Sequence, residues 1–402
     1  MGILYDAFTR SEQGAISFAG RFVTFPKSKK ITGPGCRKQI PSLLKELKVK
    51  KVLVVTGRHV GKSIAPAIIE DIRANGLEAV HYSEVEANPT SDVVYAIRDL
   101  YLSENCDGFL AIGGGSPIDA AKGAGCLCVR PGKEIGDMAG LLKVLKKLPP
   151  FIAVPTTSGT GSETTMAAVI TDSQTRHKYA VMDPLITPLY AVMDPELTVE
   201  LPAKTTATTG MDALTHAVES YLCVMNYTFD SVSFAEDAVV LIFKYLERAF
   251  NNPEDIEARE MMQEAAYKAG WSFGRAGVGN VHAIAHTFGG LYNTPHGLAN
   301  AVILPIVLED YGEVVYERLA HLAMISGVCL TGSDEEKAKA FIAEIYAMNK
   351  RMGIPEGLKL EEGDIPQMVA WAKAEANPTY PVPVIYDESR FEKILRQINS
   401  LA

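Results

Sequence analysis

Six cysteines in 402 residues are too few for a disulfide framework. Cys126 and Cys128 form a C-x-C pair, but it lies in an apolar, helix-like run and reads as core. A reducing cytoplasm is the expected setting. No apolar run is long enough to span a bilayer, so no membrane partner is expected. The opening MGILYDAFTRSEQG lacks a basic n-region and a hydrophobic core, so a secretory signal is not expected. Asp6 stands where a myristoylation pattern needs Ser or Thr. Positive charge is also short: 39 Lys and Arg against 48 Asp and Glu give a net −9, which argues against nucleic acid as a partner. Internal repeats and low-complexity tails are missing. The acidic stretch 252–260 reads as a solvated face.

Histidine is scarce too, at eight residues, but its distribution is lopsided. Three lie in one stretch, GNVHAIAHTFGGLYNTPHGLAN, at His282, His286 and His296. His216 lies upstream in TGMDALTHAVESY, four residues after Asp212. Residues at i and i+4 on a helix share a face. A single Asp/His pair at that spacing is more often a solvated helix face. Here the flanking residues are apolar: Ala213, Leu214, Ala217 and Val218 in one segment, Val281, Ala283, Ile284 and Ala285 in the other. Buried polar groups need partners, and a shared metal supplies them. Asp212, His216, His282 and His296 therefore read as one mononuclear metal site, with His286 beside it. An N/O donor set with one carboxylate suits Fe(II), Zn(II) or Mn(II).

The length implies two domains. Hydrophobic alternation is strong up to about residue 200. Residues 37–48 read as an amphipathic helix. Strands are expected at 52–56, 79–85, 108–114 and 151–157, with helices at 62–74 and 91–104, the latter capped by Ser91, and a further helix from Pro117. Shorter strands follow at 166–172, 178–182 and 189–193. This order predicts a parallel sheet covered on both faces, with ligands at the carboxyl ends of its strands. An additional strand is expected over 15–24, ahead of the main pattern. LPAKTTATTG at 201–210 reads as a hydroxyl-rich connection. Helical spacing then runs to the end, at 211–224, 229–250, 253–273, 296–308, 335–351, 363–376 and 388–400. The expected domains are thus 1–200, α/β, and 201–402, all-helical.

Two loops follow strand ends. Gly113-Gly114-Gly115-Ser116 precedes a helix start, where free N–H groups favour phosphate. It is not a G-x-G-x-x-G fingerprint, and alone it could be a tight turn. Thr156-Thr157-Ser158-Gly159-Thr160-Gly161-Ser162 is dense in hydroxyls. Together the two loops suit a pyrophosphate and a ribose.

GGGSPIDAAK at 113–122, PTTSGTGSE at 155–163, GMDALTHAVESY at 210–221 and VHAIAHTFGGLYNTPHG at 281–297 resemble the iron-containing (group III) alcohol dehydrogenases. The likeness covers nearly the whole chain in order, and the four motifs together are specific. It implies an N-terminal α/β dinucleotide-binding domain with a parallel, Rossmann-like sheet and an all-α C-terminal metal-binding domain, the dehydroquinate synthase-like fold. It implies Asp212, His216, His282 and His296 as metal ligands, and His286 beside the nicotinamide and substrate. Gly113, Gly114, Gly115, Ser116, Asp119, Thr156, Thr157, Ser158, Thr160, Asn88 and Lys178 fall at cofactor-binding positions. In the family the early strand pairs across a dimer, so a homodimer or higher homo-oligomer is expected.

One departure stands out. Many members carry, after the first strand, an Asp that accepts hydrogen bonds from the adenosine ribose. Here Gly57 takes that place, followed by Arg58 and Lys62. Loss of the carboxylate and gain of a guanidinium favour NADP(H) over NAD(H). The expected activity is hydride transfer between NAD(P)(H) and a small primary alcohol, diol or aldehyde. The metal, Fe(II) by resemblance, polarises the substrate oxygen, and His286 serves as proton relay, as support behind the metal ligands or as cofactor stacking partner. The active site is expected in the cleft between the domains. Arg275 and Lys373 are the basic residues that could approach a substrate. Glycerol dehydrogenase-like polyol oxidation and dehydroquinate synthase-like lyase chemistry are the alternatives.

Overall fold

The computed structural model describes residues 2–20, 25–176, 178–225 and 227–402. The chain divides into two units, Thr24–Glu200 and Leu201–Ala402 with Met1–Val23.

The first helix, α1 (Gly2–Gly20), corrects one expectation. Residues 15–20 of the expected strand are helical, and 21–24 lie outside the described residues. The apolar alternation there is outweighed by a polar stripe at helical spacing. Arg10 donates to the carbonyls of Val382 and Pro383, Gln13 to Tyr380 O at 2.6 Å, and Ser17 to Met225 O at 3.1 Å. A strand would send Arg10 and Gln13 to opposite faces. The helix therefore belongs with the second unit rather than the first.

The first unit contains β1 (Lys29–Thr32), α2 (Ile40–Glu46), β2 (Lys51–Gly57), α3 (Arg58–Ser63), α4 (Ala65–Ala74), β3 (Glu78–Val85), α5 (Ser91–Ser103), β4 (Gly108–Gly113), α6 (Gly115–Val129), β5 (Gly140–Leu141), β6 (Phe151–Pro155), β7 (Ala167–Thr171), β8 (Lys178–Met182) and β9 (Tyr190–Met193). Six strands form a parallel sheet in the order β1-β9-β6-β4-β2-β3. Alternate residues of the central strands feed two cores. Leu53, Val55, Phe109, Ala111, Phe151 and Ala153 face α5 and α6. Val52, Val54, Leu110, Ile112, Ile152 and Val154 face α2 and α4. Burial on both faces is what makes these strands continuous apolar runs. Strands β5, β8 and β7 form a separate sheet of three, with β7 and β8 antiparallel. Ser91 is the first residue of α5 rather than its cap, which is Thr90. The chain runs from β2 outward to β3, then returns to β4 on the other side. The order reverses between β2 and β4, and ligands to such sheets bind beyond the carboxyl ends at that point.

The second unit contains α7 (Ala203–Leu222), α8 (Phe229–Asn251), α9 (Ile256–Ala276), α10 (Asn280–Tyr292), α11 (His296–Tyr311), α12 (Tyr316–Ile325), α13 (Asp334–Arg351), α14 (Ile365–Ala376) and α15 (Glu388–Ser400). Helix α7 lies against α8, α9 and α11 and is buried nearly all round from Thr206 onward. Its first turns replace the expected connection at 201–210. The threonines there are compatible with a helix because their hydroxyls bond back one turn. Thr208 Oγ1 donates to Lys204 O at 3.0 Å and Thr209 Oγ1 to Thr205 O at 2.8 Å. Gly210 lets α8 come close, since a Cβ there would lie 2.2 Å from Leu246 Cδ1.

Candidate functional site

Three helices of the second unit bring four donors together. Asp212 and His216 lie one turn apart on α7, His282 sits on α10, and His296 is the first residue of α11. Gly297 permits the last approach: a Cβ there would stand 2.3 Å from Thr208 O on α7. One ligand atom from each of the four residues lies within 4.8 Å of the others. Asp212, His216 and His282 are buried, and His296 is partly so. The rings of His216 and His282 stack with centroids 4.6 Å apart, and Phe273 covers the other face of His216 at 4.1 Å.

Two polar residues absent from the sequence reading support this cluster. Glu219, on α7, takes Val281 N–H on Oε1 at 2.8 Å and faces His282 Nδ1 with Oε2 at 2.5 Å. Burial pushes the Glu219 carboxyl up to about 8 and, with the neighbouring imidazoles, holds His282 well below its usual range. Fixing Nδ1 leaves His282 Nε2 turned toward the other donors. Asn300, fully buried on α11, reaches into the same place. Its Nδ2 donates to Asp212 Oδ1 at 2.7 Å and lies 3.2 Å from His282 Nε2 and 3.1 Å from His296 Nε2. A positive amide edge thus stands among the lone pairs that would face a cation. The donors fit a divalent first-row metal by type, count and convergence. Glu219 was legible as the i+7 partner of Asp212 and Asn300 as the i+4 partner of His296.

His286, one turn after His282, is set apart from the four. Its ring stacks on His296 at 5.1 Å. Its Nδ1 faces Glu375 Oε1 at 2.6 Å, and the same oxygen accepts from Tyr380 OH at 2.7 Å. Both partners come from the C-terminal region, where no sequence motif marked them. Lys373 pairs with Glu388 at 2.8 Å.

In the first unit the two loops follow β4 and β6, which are neighbours in the sheet. They interlock. Thr156 N donates to Gly113 O at 2.9 Å. A Cβ on Gly114 would stand 3.2 Å from Thr157 Oγ1, and one on Gly115 3.0 Å from Thr160 Cγ2. Among the described residues no side chain caps α6, so the N–H groups of Gly115 and Ser116 stay available to an anion. Ser158 is buried in the second loop. Lys178 Nζ donates to Asn88 Oδ1 at 2.6 Å, joining two of the expected cofactor contacts.

Asp119, another of the expected cofactor positions, has its partners within the protein. It is buried beneath the loops, accepting from Ser162 Oγ and Val169 N, both at 3.0 Å. Lys122 beside it is fully buried, with Nζ on Thr165 O and Ala167 O; burial lowers its amine to about 8. This pair ties the loops to the sheet. Arg58 is ion-paired: its Nε donates to Glu84 Oε2 at 2.7 Å, and its NH1 lies 3.4 Å from Glu86 Oε1.

Family models for iron-containing alcohol dehydrogenase and for the Fe-containing alcohol dehydrogenase C-terminal region match residues 27–195 and 206–398. The NAD-dependent methanol dehydrogenase of Bacillus methanolicus is 40% identical over 340 residues, covering 83% of this chain and 89% of that one. The NADPH-dependent butanol dehydrogenase of Clostridium saccharobutylicum is 37% identical over 321 residues, covering 79% and 81%. A solved 1,3-propanediol oxidoreductase superposes with a TM-score of 0.89 at 34% identity, covering 94% of this chain and 100% of its own.

Proposed function

The chain belongs to the iron-containing alcohol dehydrogenase family, and from that premise we propose that it interconverts a small primary alcohol or diol and its aldehyde, with NAD(P)(H) as redox partner. The observation that carries this reading is the convergence of Asp212, His216, His282 and His296 within 4.8 Å. These four would hold a divalent cation, with Fe(II) favoured over Zn(II) or Mn(II) by the family. Bound there, the metal supplies Lewis acidity toward the substrate oxygen. The cofactor supplies or accepts the hydride.

The protein's own groups do the rest. Gly113 to Ser116 and Thr156 to Thr160 would cradle the pyrophosphate and ribose through backbone N–H and hydroxyls, with Asn88 and Lys178 as further contacts. Glu219 keeps His282 in the tautomer whose Nε2 points to the other donors. Asn300 holds Asp212. Glu375 fixes Nδ1 of His286 and leaves Nε2 to exchange a proton with the substrate oxygen. A homo-oligomer in the cytoplasm completes the reading, and six free thiols suit a reducing compartment. The name of the methanol dehydrogenase supports NAD(H), that of the butanol dehydrogenase NADPH, and Gly57 with Arg58 gave the case for NADP(H).

The test is anaerobic aldehyde reduction by protein loaded separately with Fe(II), Zn(II) or Mn(II). A panel of short aldehydes is offered with NADH and NADPH. The expected result is metal-dependent oxidation of reduced cofactor in a one-to-one ratio with alcohol formed. Turnover without net cofactor oxidation would assign lyase chemistry instead.

A further inference from the structure

The glycine loop follows β4, and the strand beside β4 at the point of reversed order is β2. In a doubly wound sheet the adenosine ribose lies over the end of that adjacent strand, where an acid reads its hydroxyls or an Arg accepts a 2′-phosphate. Strand β2 ends at Gly57, which offers neither. A Cβ at 57 would sit 3.0 Å from Val85 O. The pairing of β2 with β3 is irregular here: Val55 stands opposite Tyr82, but Gly57 stands opposite Val85. The slip brings the residues flanking Val85, Glu84 and Glu86, beside Arg58.

We propose that Glu84 and Glu86 replace the acid missing at position 57 and exclude a 2′-phosphate, so that the chain selects NAD(H). This rests on the reading of the glycine loops as a dinucleotide site. All three side chains are solvent-exposed, Arg58 at 62%, Glu84 at 54% and Glu86 at 70%, so the ion pairs themselves contribute little to stability. Their effect is on charge balance. Glu84 and Glu86 face Arg58, and Lys62 on α3 also acts on Glu84. Two cations against two carboxylates leave no net positive charge to recruit a dianion. The guanidinium that favoured NADP(H) in the sequence is already engaged. Removing both carboxylates would leave Arg58 and Lys62 uncompensated, and at contact distances of several ångströms in solvent that favours a phosphate by about tenfold or more.

The experiment is calorimetric titration with adenosine 5′-monophosphate and adenosine 2′,5′-bisphosphate. It uses the wild-type chain, the Glu84→Gln/Glu86→Gln double variant, and that variant with Arg58→Ala added. The wild type is expected to bind the monophosphate more tightly. The double variant should gain affinity for the bisphosphate alone, by about tenfold, and Arg58→Ala should cancel the gain. An unchanged ratio in the double variant, with both probes binding, overturns this proposal and leaves the nucleotide site standing. A wild type that prefers the bisphosphate also overturns it. Failure of the wild type to bind either probe overturns the nucleotide site and this proposal together.

Discussion

The helical unit and the α/β unit build their candidate sites by opposite means. In the first, the chemistry hangs on side chains drawn into a core: four donors from three helices, each needing a partner once water is gone. In the second, it lies in backbone at strand ends, where the missing Cβ atoms of Gly114 and Gly115 let two loops touch. A side-chain site depends on residue identity and on what holds each residue. A backbone site depends on space. Substitutions should therefore act on one function and spare the other, and that separation is the claim to break.

The largest effect is expected from His282→Ala. A divalent cation contributes several kcal/mol at a polarised oxygen, so turnover should fall by about a thousandfold or more. The rise in melting temperature on adding Fe(II) should vanish, because binding that links α7, α10 and α11 is also folding energy. Nucleotide binding should not change. Retained metal content in this variant would remove His282 from the ligand set.

Glu219→Gln comes next. The carboxyl reaches the cluster through Oε2 at Nδ1 of His282, while its Oε1 takes Val281 N–H. Loss of such a partner costs about 10–100-fold in metal affinity. Competition with a chelator measures it, and an affinity equal to wild type would reduce Glu219 to a buried packing group.

How much of this was readable follows the same division. The convergence of donors was legible because Asp and His at i and i+4 in apolar segments are rare and chemically specific. The sheet was legible because strands buried on both faces must be continuous apolar runs. What escaped the sequence depends on distant pairing. Residues 15–20 alternate like a strand, yet Arg10, Gln13 and Ser17 find carbonyls at Tyr380, Val382, Pro383 and Met225, contacts set by chain hundreds of residues away. The threonines of 204–209 read as a loop until their back-bonding is seen. Arg58 looked available until Glu84 and Glu86 met it across a strand irregularity. Asp119, beside a glycine loop in sequence, finds its partners at Ser162 and Val169, which nothing local marks.

The backbone site gives the third test. In Gly115→Ala the added Cβ would press on Thr160 Cγ2 at 3.0 Å, so the second loop must shift by a few tenths of an ångström. Overpacking of this kind costs about 1–3 kcal/mol, which is roughly tenfold in nucleotide affinity if the strain falls on the loop. Metal affinity should stay at its wild-type value. A loss of metal binding as well would show that the two functions are not separable by this route.

The smallest effect is expected at Glu375, and it sharpens the comparison within the helical unit itself. His282 and His286 lie one turn apart on α10, and each presents Nδ1 to a carboxylate at about the same distance, 2.5 and 2.6 Å. Their surroundings differ. The Glu219 side chain is 4% exposed and that of Glu375 31%. Where water cannot enter, a lost partner leaves the imidazole unsupported. Where it can, a water takes over part of the role. Glu375→Gln should therefore lower kcat by only about tenfold, less than the roughly 10²–10⁴-fold that a proton-transfer group itself contributes. Metal content and nucleotide affinity should hold. Tyr380→Phe, which removes only the second hydrogen bond to Glu375, should do less. A drop in metal content in Glu375→Gln would instead place this carboxylate in the support of the ligand cluster through the stacked rings of His286 and His296.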